Sequence, residues 1–255
     1  MTDSFGRLDG KRILVTGASS GIGRAIAEEL AAAGGRILMH ASQTRPEFEA
    51  LIAQLKRAGR QVEGLCCNFE DETGTVEFAE VAWQQLGAVD VLVNNAGVDL
   101  LTGVGRDWKF GGKLQKLLEV DVRGTILIAR SIGRRMVASG GGSMINIGWD
   151  QADRGMEGDS GELFATAKNA IMGFTRSLAM SLAPRVRVNC IAPGWIRTAW
   201  GHEAGEQWQQ RVLDETPLRR WGEPGDVAAM ARFLASDSAA YITGQVFNVN
   251  GGAIR

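Results

Sequence analysis

Gly17, Gly21 and Gly23 fall within Thr16-Gly17-Ala18-Ser19-Ser20-Gly21-Ile22-Gly23, between a run that reads as a strand and one that reads as a helix. Glycines there let the backbone turn tightly and approach a pyrophosphate. The helix start presents free N–H groups and a positive dipole end to the same anion. The G-x-x-x-G-x-G spacing differs from the commoner G-x-G-x-x-G and is a weak signal by itself. On the first strand–turn–helix of an alternating chain it predicts dinucleotide binding. A second group lies far along the chain. Phe164 and Lys168 are spaced i, i+4, which puts them on one helix face. Asp150, Asp153, Asp159 and Glu162 crowd the stretch leading to them. One of these, Asp150 foremost, is a candidate acid/base. Most are expected in a solvated loop, because like charges repel when buried. His202 is a further candidate, beside the plainer reading of a surface histidine. Cys66 and Cys67 are adjacent and Cys190 is remote. That suits neither a disulfide framework nor a metal site, so buried apolar positions and no metal are expected.

What must position these groups is an alternation of strand and helix. Strand patterns cover 12–16, 36–40, 61–67, 89–94, 143–147, 186–192 and 246–249. Helical patterns cover 21–33, 46–58, 75–86, 113–138, 162–183, 203–213 and 226–235. Such alternation means βαβ units with right-handed crossovers. The fold class is α/β, a single doubly wound Rossmann-type domain over 1–255 with a parallel sheet of about seven strands. Charge is balanced, 28 Lys+Arg against 29 Asp+Glu, which argues against nucleic-acid and membrane-surface partners. The first residues lack the apolar core of a signal peptide, and no apolar run approaches the roughly 20 residues of a membrane helix. A cytoplasmic protein is expected.

Several segments together resemble the short-chain dehydrogenase/reductase family over nearly the whole chain. Thr16 to Gly23 resembles its cofactor turn, and Asn94-Asn95-Ala96-Gly97 its NNAG segment. Pro193-Gly194-Trp195-Ile196-Arg197-Thr198 resembles its PGxIxT segment. Trp221-Gly222-Glu223-Pro224, Tyr241-Ile242-Thr243-Gly244 and Val249-Asn250-Gly251-Gly252 match its C-terminal pattern. The resemblance implies a nicotinamide cofactor. It would be held by Gly17, Ser19, Ser20, Gly21, Ile22 and Gly23 at the pyrophosphate, and by Asn95, Ala96 and Gly97 on the adenosine side. Pro193, Gly194, Ile196 and Thr198 would lie at the nicotinamide carboxamide. An acid after the second strand would favour NAD. This chain has Ser42 and Arg45 there, which suit a 2′-phosphate, so NADP(H) is preferred and NAD(H) stays open. Asn68 stands where the family places an aspartate beside adenine.

The family's chemistry uses a tyrosine as proton donor, a lysine four residues later, a serine that orients the carbonyl oxygen, and an asparagine that holds a relay water. In this sequence the tyrosine position reads Phe164, the serine position Trp149 and the asparagine position Asp121, while Lys168 is present. The chain has a single tyrosine, Tyr241, in a segment that reads as structural. A phenyl ring offers no proton, and an indole N–H only donates. Losing a general acid costs roughly 10²–10⁴ in rate. Lys168 is expected to clamp the ribose, and a second reading makes it the proton donor. Asp121 is expected to keep a water or act as a base, beside the reading of a solvated helix acid. The expectation is an NADP(H)-binding family member with conventional redox activity lost or altered. The alternative is an enzyme with rebuilt chemistry, redox or non-redox such as dehydration or cyclisation, using Lys168 or a nearby carboxylate. In the family's layout Trp149, Trp195, Trp200 and Trp208 map near the cleft, with a substrate-covering segment near 195–215. They would either line a site for an aromatic or apolar small molecule or fill it. The resemblance also implies a homodimer or homotetramer through helices 113–138 and 162–183.

Overall fold

The computed structural model describes residues 5–254. Its strands are β1 (Arg12–Val15), β2 (Arg36–Ala41), β3 (Val62–Cys66), β4 (Val91–Asn94), β5 (Gly142–Ile147), β6 (Val186–Pro193) and β7 (Val246–Val249). They form one seven-stranded sheet in the order β3-β2-β1-β4-β5-β6-β7, every neighbouring pair parallel. The helices are α1 (Gly21–Ala32), α2 (Pro46–Arg57), α3 (Glu72–Leu86), α4 (Phe110–Leu117), α5 (Thr125–Ala138), α6 (Asp159–Leu182), α7 (Ala199–Glu203), α8 (Glu206–Glu215) and α9 (Pro224–Ala235).

Alternate strand residues point to opposite faces, and both faces are buried. Ile13, Val15, Ile37, Met39, Val93 and Ile191 pack against α1, α2 and α9. Leu14, Leu38, Leu92, Met144 and Val188 pack against α3, α5 and α6. The chain runs from β1 outward to β3, then returns to β4 on the other side of β1. That reversal opens a crevice at the carboxyl ends of β1 and β4, where ligands of such sheets bind. A buried ladder fixes α6 against the sheet. Asn94 Nδ2 donates to Asn146 Oδ1 at 2.8 Å, and Asn146 Nδ2 donates to Thr175 Oγ1 at 2.9 Å.

Several expected boundaries are corrected. The helix expected over 113–138 begins earlier and is interrupted: α4 passes into a π-helical stretch, Leu118–Gly124, before α5. The wider turn rotates Asp121 into the interior, where it is buried, so it is not a solvated helix acid. The helix expected over 203–213 is two, α7 and α8, broken at Ala204 and Gly205. The cysteines divide as well. Cys190 is buried in β6 with its thiol pushed up to about 12 by burial, whereas Cys66 and Cys67 are only half-buried.

Candidate active site

The turn after β1 is built as a cradle for an anion. Gly17 and Gly21 have φ of +63° and +52°, the left-handed region that glycine tolerates. A Cβ on Gly23 would sit 2.1 Å from the Gly17 carbonyl oxygen, so the turn closes only over glycine. The first turn of α1 carries no acid, and Ser20 at its N-cap makes no side-chain capping bond, which leaves the helix N–H groups facing outward. Asn95 Nδ2 donates to the Thr16 and Gly17 carbonyls at 3.1 and 3.0 Å. Thr16 Oγ1 accepts the N–H groups of Asn95 and Ala96, each at 3.0 Å. Asn95 thus holds the turn from behind. Thr198 reaches the same place from β6, its Cγ2 lying 3.5 Å from where a Gly21 Cβ would be. These residues fit a dinucleotide pyrophosphate.

Ser42 and Arg45 are exposed on the loop after β2, and the Arg45 guanidinium lies against the Gln43 amide. Asn68 is exposed, and its Oδ1 accepts the Glu70 N–H at 3.2 Å.

At the carboxyl ends of β4 and β5, Lys168 Nζ meets Asp121 Oδ2 at 2.9 Å in a pair whose carboxylate is 2 % exposed. Asp121 Oδ1 accepts the Val98 N–H at 2.9 Å. A Cβ on Gly97 would come within 2.8 Å of Asp121 Oδ2, so the NNAG segment backs directly onto this pair. Phe164 and Trp149 meet edge to face, 6.3 Å between centroids at 68°. Phe164 also packs into the apolar cluster of Leu100, Leu117, Leu163 and Ala167.

Asp150 departs from the expected carboxylate group. It is 1 % exposed, whereas Asp153, Asp159 and Glu162 are exposed. Its Oδ2 accepts from Asn250 Nδ2 at 3.1 Å, while Oδ1 is buried with no hydrogen-bond partner among the described residues. Burial pushes its carboxyl up to about 6. The segment over 195–215 is knitted by indoles. Trp195, Trp200 and Trp208 lie 5.4–5.8 Å from one another, and Trp200 lies 5.9 Å from Trp221. Trp149 stands apart from them, with Phe164. His202 is exposed. Tyr241 is fully exposed beyond α9, in the segment that leads into β7.

The family model described as enoyl-(acyl carrier protein) reductase matches residues 17–253. The chain is 36% identical over 254 residues to the 3-oxoacyl-(acyl-carrier-protein) reductase FabG of Aquifex aeolicus, covering 96% of this chain and 98% of that one. The chain belongs to the short-chain dehydrogenase/reductase family. A 7α-hydroxysteroid dehydrogenase solved with NADH and 7-oxo glycochenodeoxycholic acid superposes with a TM-score of 0.89 at 30% identity, covering 100% of this chain and 98% of that chain. A structure described as an NAD(P)-dependent gluconate 5-dehydrogenase from Beutenbergia cavernae, with NADP bound at low occupancy, gives 0.87 at 33% identity, covering 97% and 98%.

Within this family member, the fold brings together Gly17, Gly21, Gly23, Asn95 and Thr198, and separately Asp121, Lys168 and Gly97. Asp150 lies instead between Gly194 and the C-terminal segment, Gly194 packing on Asn250 and on Asp150 Oδ2. Asn94, Trp221 and Asn250 were singled out in the sequence only as parts of motifs; their contacts with Asn146, Trp200 and Asp150 were not foreseen. Nor was the direct Lys168–Asp121 contact, for which only an ion-pair search between the two segments would have given a signal. Among the described residues, no cluster of His, Cys, Asp and Glu is placed to hold a metal ion, and no helix is long and apolar enough to cross a membrane.

Proposed function

We propose that this chain binds NADP(H) in the family's manner and that conventional carbonyl reduction is lost or altered. The Phe164–Trp149 contact supports the reading: two aromatic rings meet at the residues that the resemblance reads as the family's phenol and hydroxyl positions. The bound nicotinamide would supply or accept hydride. Gly17, Ser19, Ser20, Gly21, Ile22 and Gly23 would hold its pyrophosphate, with Asn95, Ala96 and Gly97 as their support. Ser42 and Arg45 would meet a 2′-phosphate, and Asn68 the adenine. Pro193, Gly194, Ile196 and Thr198 would meet the carboxamide, and Lys168, aimed by Asp121, the ribose. α7 and α8 would cover a small apolar or aromatic ligand beside the indoles, in a cytoplasmic protein.

A second reading keeps an active enzyme with rebuilt chemistry through Lys168 or Asp150. The unpartnered Oδ1 of Asp150 favours it, on a carboxyl held at about 6, where acid/base exchange near neutrality is efficient.

Fluorescence titration with NADPH and NADH, followed by a panel of carbonyls and alcohols read at the nicotinamide absorbance, separates the two. Binding without turnover, NADPH ahead of NADH, supports the first. Turnover abolished by Lys168→Ala or Asp150→Asn supports the second, and turnover at ordinary reductase rates overturns the first. Phe164→Tyr alone is expected to leave reductase activity at background, because Trp149 still supplies no oxygen-orienting hydroxyl. A robust gain from that one change would move the serine position elsewhere.

A further inference from the structure

His40, one residue from the end of β2, is 2 % exposed and has no role in the sites above. Its Nδ1 accepts the Gly17 N–H at 3.1 Å, and its Nε2 lies 2.9 Å from the Cys67 carbonyl oxygen. A peptide N–H only donates and a carbonyl only accepts. Both bonds therefore exist together in one form, the neutral imidazole with its hydrogen on Nε2. Burial favours that form and holds the ring down at about 4. The ring plane is fixed by stacking on Phe69, 4.1 Å between centroids at 3°, and by the edge contact with Phe78 at 4.8 Å. The main chain repeats the connection: Ala18 N–H donates to the His40 carbonyl at 2.7 Å, and Cys67 N–H to the Ala41 carbonyl at 3.0 Å. Gly17 opens the anion cradle, and Cys67 precedes Asn68 at the end of β3. The imidazole spans the two.

We infer that His40 is a positioning residue for the dinucleotide, a neutral brace that sets the pyrophosphate turn at a fixed distance from the adenine-side end of β3. This rests on the nucleotide-binding reading above. The titratable groups on the elements packed against the ring are Glu63 and Cys66 on β3, Cys67, Glu70 and Asp71 in the stretch that follows it, and Glu72, Glu77 and Glu80 on α3, which carries Phe78; the 16–23 turn carries none.

The test is calorimetric titration with NADP⁺, NAD⁺ and adenosine 2′-monophosphate, on the wild type, His40→Phe and His40→Gln. Far-ultraviolet dichroism and a melting curve accompany each protein. His40→Phe keeps the stack and removes both hydrogen bonds, leaving two buried polar groups unpaired. Dinucleotide affinity is expected to fall about tenfold or more, and monophosphate affinity, which has no phosphate at the turn, much less. Wild-type affinity for NAD⁺, which lacks the titrating 2′-phosphate, is expected to show an acid limb from protonation of the ring toward about 4, over and above the decline that protonation of the ligand's own adenine gives every variant. That limb is absent in His40→Gln, which also carries the test if the phenylalanine variant does not fold. Unchanged dinucleotide affinity in folded His40→Phe, equal losses for dinucleotide and monophosphate, or the same acid limb in His40→Gln overturns the inference. Failure of the wild type to bind either dinucleotide overturns the nucleotide-binding reading with it.

Discussion

A carboxyl shut away from water favours its neutral form, and Asp150 carries that preference at the edge of the site. Its value of about 6 lies above the ordinary 3.8, so its contribution to stability is fully present below 3.8 and is lost as pH rises through about 6. Each pKa unit is worth about 1.4 kcal/mol, so Asp150→Asn is expected to stabilise the protein by up to about 3 kcal/mol above about pH 7. The gain should vanish toward about pH 4. Denaturant unfolding at the two ends of that range measures it, and an equal gain at both would place the effect outside this carboxyl. In the Lys168–Asp121 pair the two buried groups partner each other directly. Lys168→Met strands a buried carboxylate and is expected to cost about 3–5 kcal/mol; adding Asp121→Asn should recover most of it. A double variant no more stable than the single would show that the two groups are uncoupled. The glycine turn was legible in the sequence because its backbone geometry follows from residue type and local spacing. The burial of Asp150 was not, because it depends on Asn250 and Gly194, which approach from β7 and β6.

At the scale of elements, the segment over 199–215 is held by two kinds of contact of unequal weight. Arg106–Glu203 ties α7 to the 103–107 turn, and Arg211–Glu157 ties α8 to the loop before α6. Both pairs are largely exposed, and such pairs contribute roughly 0–1 kcal/mol. The packed indoles bury far more apolar surface, so they set the stiffness of the segment. Trp200 touches three of them. Trp200→Ala is expected to speed amide hydrogen exchange across α7 and α8 by about tenfold or more while β4, β5 and β6 keep their protection. Slowed or unchanged exchange there would shift the restraint to the ion pairs, which raised salt would then release. The alternation of strand and helix was readable because a period of two and a period of 3.6 are local signals. The π-helical stretch was not: it carries Asp121, whose partners on α6 and at Val98 are distant along the chain and give no local signal.

For the whole molecule, Phe110 and Leu118 on α4 and its π-helical continuation, Val137 on α5 and Met180 on α6 are exposed apolar residues on elements that flank the sheet. A homodimer or homotetramer formed through these helices is expected in sedimentation experiments, dissociating in Leu118→Glu/Met180→Glu. A wild-type monomer at micromolar concentration would remove the helices from consideration as an interface. The amino-acid sequence by itself determined the parallel α/β architecture, the glycine cradle and the aromatic identity of position 164, because each rests on hydrophobic period, turn chemistry or residue type. Only the tertiary structure decided that Asp121 pairs with Lys168, that Asp150 is buried, that four indoles form one block and that His40 joins Gly17 to Cys67. Those partners are far apart along the chain, and burial and hydrogen-bond pairing are set by what the fold brings alongside.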